Sequence, residues 1–98
     1  MKSIIEGLNK QFDNRIRLGI MSALMVNDFV DFNTLKSVLG VTDGNLASHL
    51  KALESNNYIV VHKQFIGRKP NTTYNVTTMG KKAFKLHLEA LEQIINKH

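Results

Sequence analysis

The chain has 98 residues, of which 43% are hydrophobic, and it contains 13 Lys or Arg, 8 Asp or Glu and no cysteine. This length fits one domain with a modest core, so residues 1–98 are expected to form a single domain. Without cysteine, disulfides, thiolate zinc sites and cysteine nucleophiles are excluded. Because Glu6 and Asn9 interrupt the apolar start and no run of about 18 apolar residues follows, we predict neither a signal peptide nor a membrane span, and expect a cytoplasmic protein.

The net charge of +5 is unevenly distributed along the chain. Six cations and six acids cancel in residues 1–54, whereas residues 55–88 contain six Lys or Arg and no Asp or Glu. Such a stretch produces a local positive field that attracts polyanions, of which nucleic acid is the commonest. A solvated basic surface without a partner explains the composition equally well.

The first third of the chain predicts two helices. Apolar residues at helical spacing in residues 1–12 indicate a short helix, whose apolar residues are Ile4, Ile5, Leu8 and Phe12. Asp13 or Asn14 can cap a second helix, which carries two apolar stripes and is therefore expected to be central and largely buried. The two stripes are Ile16, Ile20 and Leu24, and Leu18, Met21 and Met25.

Two further short helices follow. Asn33 is expected to cap a helix over residues 34–39, and Gly40 is placed to end it in a left-handed conformation. The inward residues of this helix are Leu35, Val38 and Leu39. Thr42 can cap the next helix, which runs to about Ser55.

Three segments have strand character. The "NDFVDF" segment, residues 27–32, combines turn formers with a brief alternation and predicts one very short strand. β-branched and aromatic residues dominate residues 58–66 and 72–76, which predicts a two-stranded hairpin. Glycine and proline in residues 67–71 predict a five-residue turn between these strands.

This order of elements describes a helix-turn-helix followed by a wing. Two short helices are joined by Gly-Val-Thr and followed at once by a hairpin. The predicted fold class is α+β, mainly α, with a three-helix core, a two- or three-stranded wing sheet and helices at both termini.

The second helix of the helix-turn-helix has one apolar and one polar face. Its apolar stripe is Leu46, Leu50 and Leu53. The opposite surface is small and hydrogen-bonding at its N-terminal end, as a helix in the major groove requires, since Asn pairs with adenine and Ser with several bases. Gly44 costs about 1 kcal/mol of helix propensity, which close approach to a ligand would explain. A solvated polar face is the alternative. The predicted DNA-contacting residues here are Thr42, Asp43, Gly44, Asn45, Ser48, His49 and Lys51.

The segments "LASHLKALESNNYIVV" and "GRKPNTTYNVTTMGKKAF" resemble winged-helix transcriptional regulators of the MarR and ArsR type. Those proteins typically show Ser-x-His-Leu-x-x-Leu, a glycine-and-basic hairpin tip and Tyr-x-Leu-Thr-x-x-Gly. Here His49 and Leu50 match, with Ala47 at the usual serine, and Val76 replaces Leu in the second pattern. "NRIRLGIMSAL" is similar to their central helix. The resemblance covers at least residues 12–84 and implies regulation of transcription by sequence-specific binding to double-stranded DNA, with a histidine at position 49 that helps the docking surface. The alternative for His49 is a partly buried histidine held by a neighbouring backbone group.

The hairpin tip is the second predicted contact with DNA. If the polar helix enters the major groove, Arg68 and Lys69 reach the flanking phosphates or a narrow minor groove. Lys63, Lys81 and Lys82 are further candidates for phosphate contacts. Lys and Arg also occur at hairpin tips for solubility alone.

The final helix is predicted to serve dimerisation. Thr77 or Thr78 can cap a helix over residues 78–98, about 30 Å long, which overhangs a core of this size. With residues 1–12 it is expected to build a two-fold homodimer, as family members usually pair in this way. The alternative is that the terminal helices pack on each other within one chain. The predicted dimerisation residues are Ile4, Ile5, Leu8, Phe84, Leu88, Leu91, Ile94 and Ile95.

Other functions are less well supported by the sequence. A metal-responsive, ArsR-like regulator would need His87 and His98 as ligands. These residues lie about 16 Å apart along one helix, so they could share an ion only across a dimer. Both are therefore predicted to be surface histidines, and no metal or other cofactor is expected. A protein-interaction module remains an alternative, because winged helices also bind proteins. An enzyme is not expected, since the carboxylates are scattered and neither a Ser/His/Asp set nor a glycine-rich phosphate loop occurs. The sequence does not identify a small-molecule effector.

Overall fold

A computed structural model describes residues 3–96, which form four α-helices, one 3₁₀ turn and a three-stranded antiparallel sheet. In chain order the elements are the 3₁₀ turn Lys10–Phe12, α1 Arg15–Val26, β1 Val30–Asp31, α2 Phe32–Leu39, α3 Asp43–Ser55, β2 Ile59–Ile66, β3 Lys69–Val76 and α4 Thr78–Asn96. Helices α1 to α3 form the core, and the strands lie in the order β1-β3-β2. The predicted winged helix-turn-helix is confirmed. Among residues 3–96, no helix is both long enough and apolar enough to cross a bilayer.

The predicted N-terminal α-helix is wrong. Residues 4–7 form turns, and only Lys10–Phe12 is helical. Asn9 interrupts the segment because its Oδ1 accepts the N–H of Gln11 at 2.9 Å and caps the 3₁₀ turn. Gly7 lowers helix propensity by about 1 kcal/mol, and a helix this short is marginal without strong propensity.

Helix α1 is central, as its two apolar stripes predict. Asn14 caps it, since its Oδ1 accepts the N–H groups of Ile16 at 2.9 Å and Arg17 at 3.1 Å. Residues from both stripes are buried, namely Ile20, Met21 and Leu24. The helix therefore packs on neighbours from two sides.

Helix α2 begins earlier than predicted. The cap is Asp31 rather than Asn33, because its carboxylate accepts the N–H of Thr34 at 2.7 Å. The same hydrogen bond lowers the pKa of Asp31. Val38 is 70% exposed, so its predicted inward position is wrong. Gly40 ends the helix with a φ of 62°, which confirms the predicted left-handed residue.

The hairpin turn is tighter than predicted. Gly67 and Arg68 alone connect the strands, and residues beyond them already pair, so the five-residue turn over 67–71 is wrong. Gly67 has a φ of 66°, the conformation that a type II′ turn requires at its first central position. Pro70 lies opposite Phe65 within β3. Proline is tolerated there because β1 pairs only with the far end of β3, so this part of the strand has a free edge.

The core joins the helices to the sheet through one apolar cluster. Its members are Phe12, Ile20, Met21, Leu24, Val30, Leu35, Leu46, Leu50, Leu53, Ile59, Tyr74, Val76 and Phe84. Thr77 begins α4 by accepting the N–H of Gly80 at 2.8 Å and donating to the Asn57 carbonyl oxygen at 2.7 Å. A Cβ on Gly80 would collide with the carbonyl oxygen of Tyr58, so the start of α4 is held tightly against the end of α3 and the start of β2.

Candidate nucleic-acid interface

Helix α3 presents the polar face that the leucine spacing predicts. Leu46, Leu50 and Leu53 are buried, so the opposite side of the helix is left open. Of the predicted contact residues on that side, His49 is half-buried and the others are exposed. The exposed ones are Thr42, Asp43, Gly44, Asn45, Ser48 and Lys51. The side chains needed for base-edge contacts are therefore accessible.

The N-terminal end of α3 is fixed by two contacts. The hydroxyl of Thr42 accepts the N–H of Asn45 at 3.3 Å, so this residue acts as the predicted cap. Lys36 of α2 forms an ion pair with Asp43 at 2.8 Å. An exposed pair contributes at most about 1 kcal/mol to stability, but it offsets a negative charge at the point where a phosphate would approach. The ion pair of Lys36 with Asp43 was not predicted from the sequence, because it forms across the turn between α2 and α3.

Gly44 is open to solvent. No atom from outside the helix lies within 4 Å of the Cβ position that an alanine would occupy there. Folding of the chain therefore does not require glycine at this position, in contrast to Gly80. This leaves the close approach of a ligand as a reason for the glycine.

His49 is held from the core side by a side chain of α1. The Nε of Arg17 donates to Nδ1 of His49 at 3.0 Å, and Nη1 of Arg17 donates to Gln11 at 2.8 Å. Because Nδ1 is an acceptor, the neutral ring carries its hydrogen on Nε2. Burial lowers the pKa of His49, and the nearby guanidinium of Arg17 lowers it further. The contribution of Arg17 was missed, since a long-range contact leaves no periodic signal.

The wing and α3 enclose a common concavity of about 310 Å³. Lys51 of α3 and Lys63 of β2 both line it, and its floor includes Val61 and Tyr74. Glu54 is the acidic residue that lines the same space. Two predicted contact residues from separate elements therefore face one region of space.

Arg68 and Lys69, which are adjacent in sequence, occupy different positions in the wing. Arg68 lies in the turn, whereas Lys69 is the first residue of β3 and pairs with Ile66. Both are exposed. Lys81 lies on another surface, because it lines a concavity with Phe29 and Asn75 rather than the one shared with α3. Lys82 is exposed in the first turn of α4.

The N-terminal segment packs on α4 within the chain. A Cβ on Gly7 would lie 3.0 Å from Cβ of Ala90, and the backbone N–H of Asn9 donates to Nδ1 of His87 at 3.0 Å. Nδ2 of Asn9 also donates to the hydroxyl of Tyr58 at 3.0 Å. The alternative prediction, that the N-terminal and C-terminal segments pack on each other within one chain, thus holds for part of this region.

Most of the predicted dimerisation residues nevertheless remain accessible. Those that are exposed are Ile4, Ile5, Leu88, Leu91 and Ile95, while Leu8 and Ile94 are half-buried. Phe84 differs, because it is 3% exposed and its ring lies 5.2 Å from that of Phe12 in the core. It therefore cannot form an interface directly. Ile5, Leu8 and Leu91 border an open cavity of about 560 Å³.

His87 is one of the two histidines that a metal-responsive site would need. His87 is 4% exposed, so its predicted surface position is wrong. Its ring lies 5.4 Å from Phe12, and burial lowers its pKa, although the charge of Asp13 opposes this effect. Within residues 3–96 no cluster of three His, Cys, Asp or Glu is arranged to hold a metal ion. His98 lies outside the described residues.

Comparison with known proteins decides the family. A family described as winged helix DNA-binding domain matches residues 16–95, which include α1 to α3, the wing and nearly all of α4. The chain belongs to this winged-helix DNA-binding family. The resemblance drawn from "LASHLKALESNNYIVV" and from the wing segment is thereby confirmed.

Relatives of this winged-helix protein span nearly its whole length. A transcriptional regulator homologue from Pyrococcus horikoshii OT3 has 32% identity and a TM-score of 0.81, covering 95% of this chain and 90% of that one. An uncharacterized protein of Methanocaldococcus jannaschii is 34% identical over 85 residues, which are 87% of this chain and 92% of the relative. The crystal structure of MarR, at 18% identity, shares the fold with a TM-score of 0.75, covering 92% of this chain and 66% of that one.

These comparisons fix the general class of function. The protein is a winged-helix DNA-binding protein; its 32% identical relative is a transcriptional regulator homologue, and it shares its fold with MarR. Proteins of this type are regulators rather than enzymes, which agrees with the prediction from the scattered carboxylates.

Proposed function

We propose that this winged-helix protein is a cytoplasmic, sequence-specific regulator that binds double-stranded DNA as a homodimer. In this proposal α3 of each protomer enters a major groove, and the wing contacts the flanking backbone or minor groove. The observation that carries the proposal is the concavity that Lys51 and Lys63 share, beside an exposed polar face with Asn45 and Ser48. A duplex can engage both elements at once.

The two elements have different tasks in the proposal. Asn45 and Ser48 lie in the N-terminal half of α3, where side chains of a major-groove helix reach base edges and read sequence. Lys51, Lys63 and Arg68 are cations, which contact phosphates and set position and affinity without reading bases. Each phosphate contact releases a counterion, so the affinity is expected to fall steeply with salt.

The proposed dimer uses the exposed apolar residues of α4. Leu88, Leu91 and Ile95 are exposed on one helix, and Ile4 and Ile5 are exposed on the segment that packs beside it. A surface of this kind is expected to be covered by another protein surface, since exposed apolar patches favour association. A second copy would place two α3 helices for successive major grooves about 34 Å apart.

Selection of duplexes from a random pool by gel shift, repeated at two salt concentrations, tests the proposal. We expect a two-fold symmetric consensus and an affinity that decreases with salt. Ser48→Ala should alter the selected bases, whereas Lys63→Ala should weaken all duplexes alike. Arg15→Ala removes an exposed cation that is not among the proposed DNA-contact or dimerisation residues, and it should change neither. Equal, salt-insensitive binding of all duplexes, or a protein partner in their place, would contradict the proposal.

A further inference from the structure

The tip of the wing carries exposed apolar side chains beside its cations. Phe65 is 72% exposed, and Pro70 lies opposite it across the hairpin and is also exposed. An exposed phenylalanine leaves apolar surface in water, and burial of that surface in a complex would be favourable. Contact with phosphates alone gives no reason for such a residue at this place.

Strand alternation assigns Phe65 and Pro70 to the sheet face that continues toward α3. Successive side chains of a strand point to opposite faces, so Phe65 shares a face with Val61 and Lys63. Both of these residues line the concavity with Lys51 of α3. Ile66 and its cross-strand partner Lys69 lie on the other face.

The length of the wing suits the distance between grooves. Phe65 lies four residues beyond Val61 along β2, which corresponds to about 14 Å at about 3.4 Å per residue in an antiparallel strand. One turn of DNA is about 34 Å, so a minor groove lies roughly half of this distance from the major groove that α3 occupies in the proposed complex. The wing is therefore long enough to bring Phe65 toward the adjacent minor groove of the same duplex.

The charge around the apolar pair favours DNA as its occupant. Lys63 precedes Phe65 by two residues, Arg68 follows it in the turn, and no Asp or Glu occurs in residues 55–88. Apolar side chains, Phe and Pro among them, are known to enter minor grooves and part a base step when basic residues hold the phosphates. The turn itself carries Arg68 and no acidic residue, although Asp31 lines a concavity with Lys63 and Pro70 nearer the core. The cationic tip therefore suits a polyanion better than an apolar protein groove.

We infer that Phe65 and Pro70 form an apolar wedge that enters the minor groove beside the α3 site and partly unstacks one base step. This inference rests on the proposed function and adds a second source of specificity to it. The wedge makes no hydrogen bonds to bases, so it selects deformable sequence. Pyrimidine–purine steps such as TA open more easily than stiff A-tracts or GC-rich segments.

The test compares Phe65→Ala with Ile66→Ala, which removes a neighbouring apolar side chain of similar exposure, 64%, from the opposite face. Fluorescence anisotropy measures the affinity for two duplexes that share the selected α3 sites and differ only in a TA or a GG step at the wing position. Wild type should prefer the TA duplex. Phe65→Ala should lose roughly tenfold in affinity and most of this preference, while Ile66→Ala changes both less than twofold. The dependence on salt should not change, because an apolar contact releases no counterion.

A fluorescent base analogue at the wing step supplies an independent readout. Its emission should rise on binding of wild type and of Ile66→Ala, and should rise less with Phe65→Ala. Equal behaviour of the two variants, or a Phe65→Ala protein that keeps the TA preference, would overturn the wedge. So would a shift of the free protein from a larger to a smaller assembly on Phe65→Ala, since Phe65 would then contact another copy. If wild type binds no duplex in a salt-dependent manner, the proposed function itself fails.

Discussion

Helices α3 and α4 bury one side in the same core but differ in what they leave exposed. Outside its leucine stripe, α3 presents small and polar residues such as Gly44, Asn45 and Ser48. Outside Phe84 and His87, α4 presents Leu88, Leu91 and Ile95. A polar, cation-flanked face suits the hydrogen-bonding edges and phosphates of DNA, whereas an apolar face suits another protein surface.

The comparison separates two tasks that the chain carries out with similar local structure. Both helices start with a threonine cap, Thr42 for α3 and Thr77 for α4. The difference therefore lies in the outward residues and not in the way each helix is started. Substitutions on the exposed face of α3 should therefore affect DNA binding, and substitutions on the exposed face of α4 should affect association. Neither should lower the stability of the core.

The largest effect is expected from the apolar face of α4. Leu91→Glu places a charge in the proposed dimer interface and should convert the dimer into a monomer. Loss of the second binding module should reduce DNA affinity by about 100-fold or more. Sedimentation velocity measures the assembly, and gel shift measures the affinity. Gln93→Glu adds a charge at an exposed position of the same helix and serves as the control. A Leu91→Glu protein that sediments like wild type would show that this face does not join two copies.

The next effect concerns the cations of the wing. Arg68→Ala together with Lys69→Ala should weaken binding to all duplexes similarly, by roughly tenfold, and should lower the slope of log affinity against log salt by about one to two units for each protomer. Binding titrations over a range of salt concentrations measure both quantities. A loss confined to one duplex sequence would instead assign base readout to these residues.

A pH dependence of stability is expected from the contact between α4 and the N-terminal segment. Burial lowers the pKa of His87 in the folded state, so the unfolded chain binds more protons as the pH falls below the ordinary value of about 6.5. The stabilising contribution of neutral His87 is therefore complete above that pH and is lost as pH falls toward the lower folded pKa.

The test variant is His87→Gln, compared with wild type. Glutamine at position 87 keeps an acceptor for the Asn9 N–H but does not titrate, so the free energy of unfolding should depend less on pH. Urea unfolding at several pH values between 5 and 8 measures how the free energy of unfolding depends on pH. Some dependence should remain, because the pKa of His49 is lowered as well. Identical pH profiles of His87→Gln and wild type would contradict the assignment.

The smallest effect is expected at Gly44. The methyl of Gly44→Ala meets no atom from outside α3 in the free protein, and the change should raise the free energy of unfolding by about 0.5–1 kcal/mol through helix propensity. The added methyl should at the same time reduce DNA affinity a few-fold if α3 approaches the bases closely. Thermal denaturation and gel shift give the two values. Greater stability with undiminished affinity would show that the glycine is not there for close approach.

Local signals predicted the helix-turn-helix well. The cap at Thr42, the left-handed Gly40 and the three leucines of α3 all act through neighbours in sequence, so their patterns are readable without the structure. The wing was predicted as a hairpin, but its turn was placed wrongly because Pro70 is typical of turns. Its position at a free edge of β3 depends on where β1 ends, which is a tertiary property.

Contacts between distant residues account for what the sequence did not reveal. Periodicity predicted a helix through Asn9, whereas contacts with His87 and Tyr58, far along the chain, fix that segment as a turn. His87 was predicted to be a surface residue because a single polar side chain carries no sign of the aromatic rings around it. The hydrogen bond from Arg17 to His49 likewise forms only when α1 and α3 pack together.

Hydroxyl-radical footprinting of wild type and of the Arg68→Ala, Lys69→Ala variant on a selected duplex tests most directly whether α3 and the wing engage one duplex together. For wild type we expect protection of the backbone around each α3 site and of an adjacent minor groove about half a turn away. The variant should lose the minor-groove protection and retain the protection around α3. If wild type shows no protection outside the α3 sites, or if the variant leaves the pattern unchanged, the two elements do not act on the duplex together.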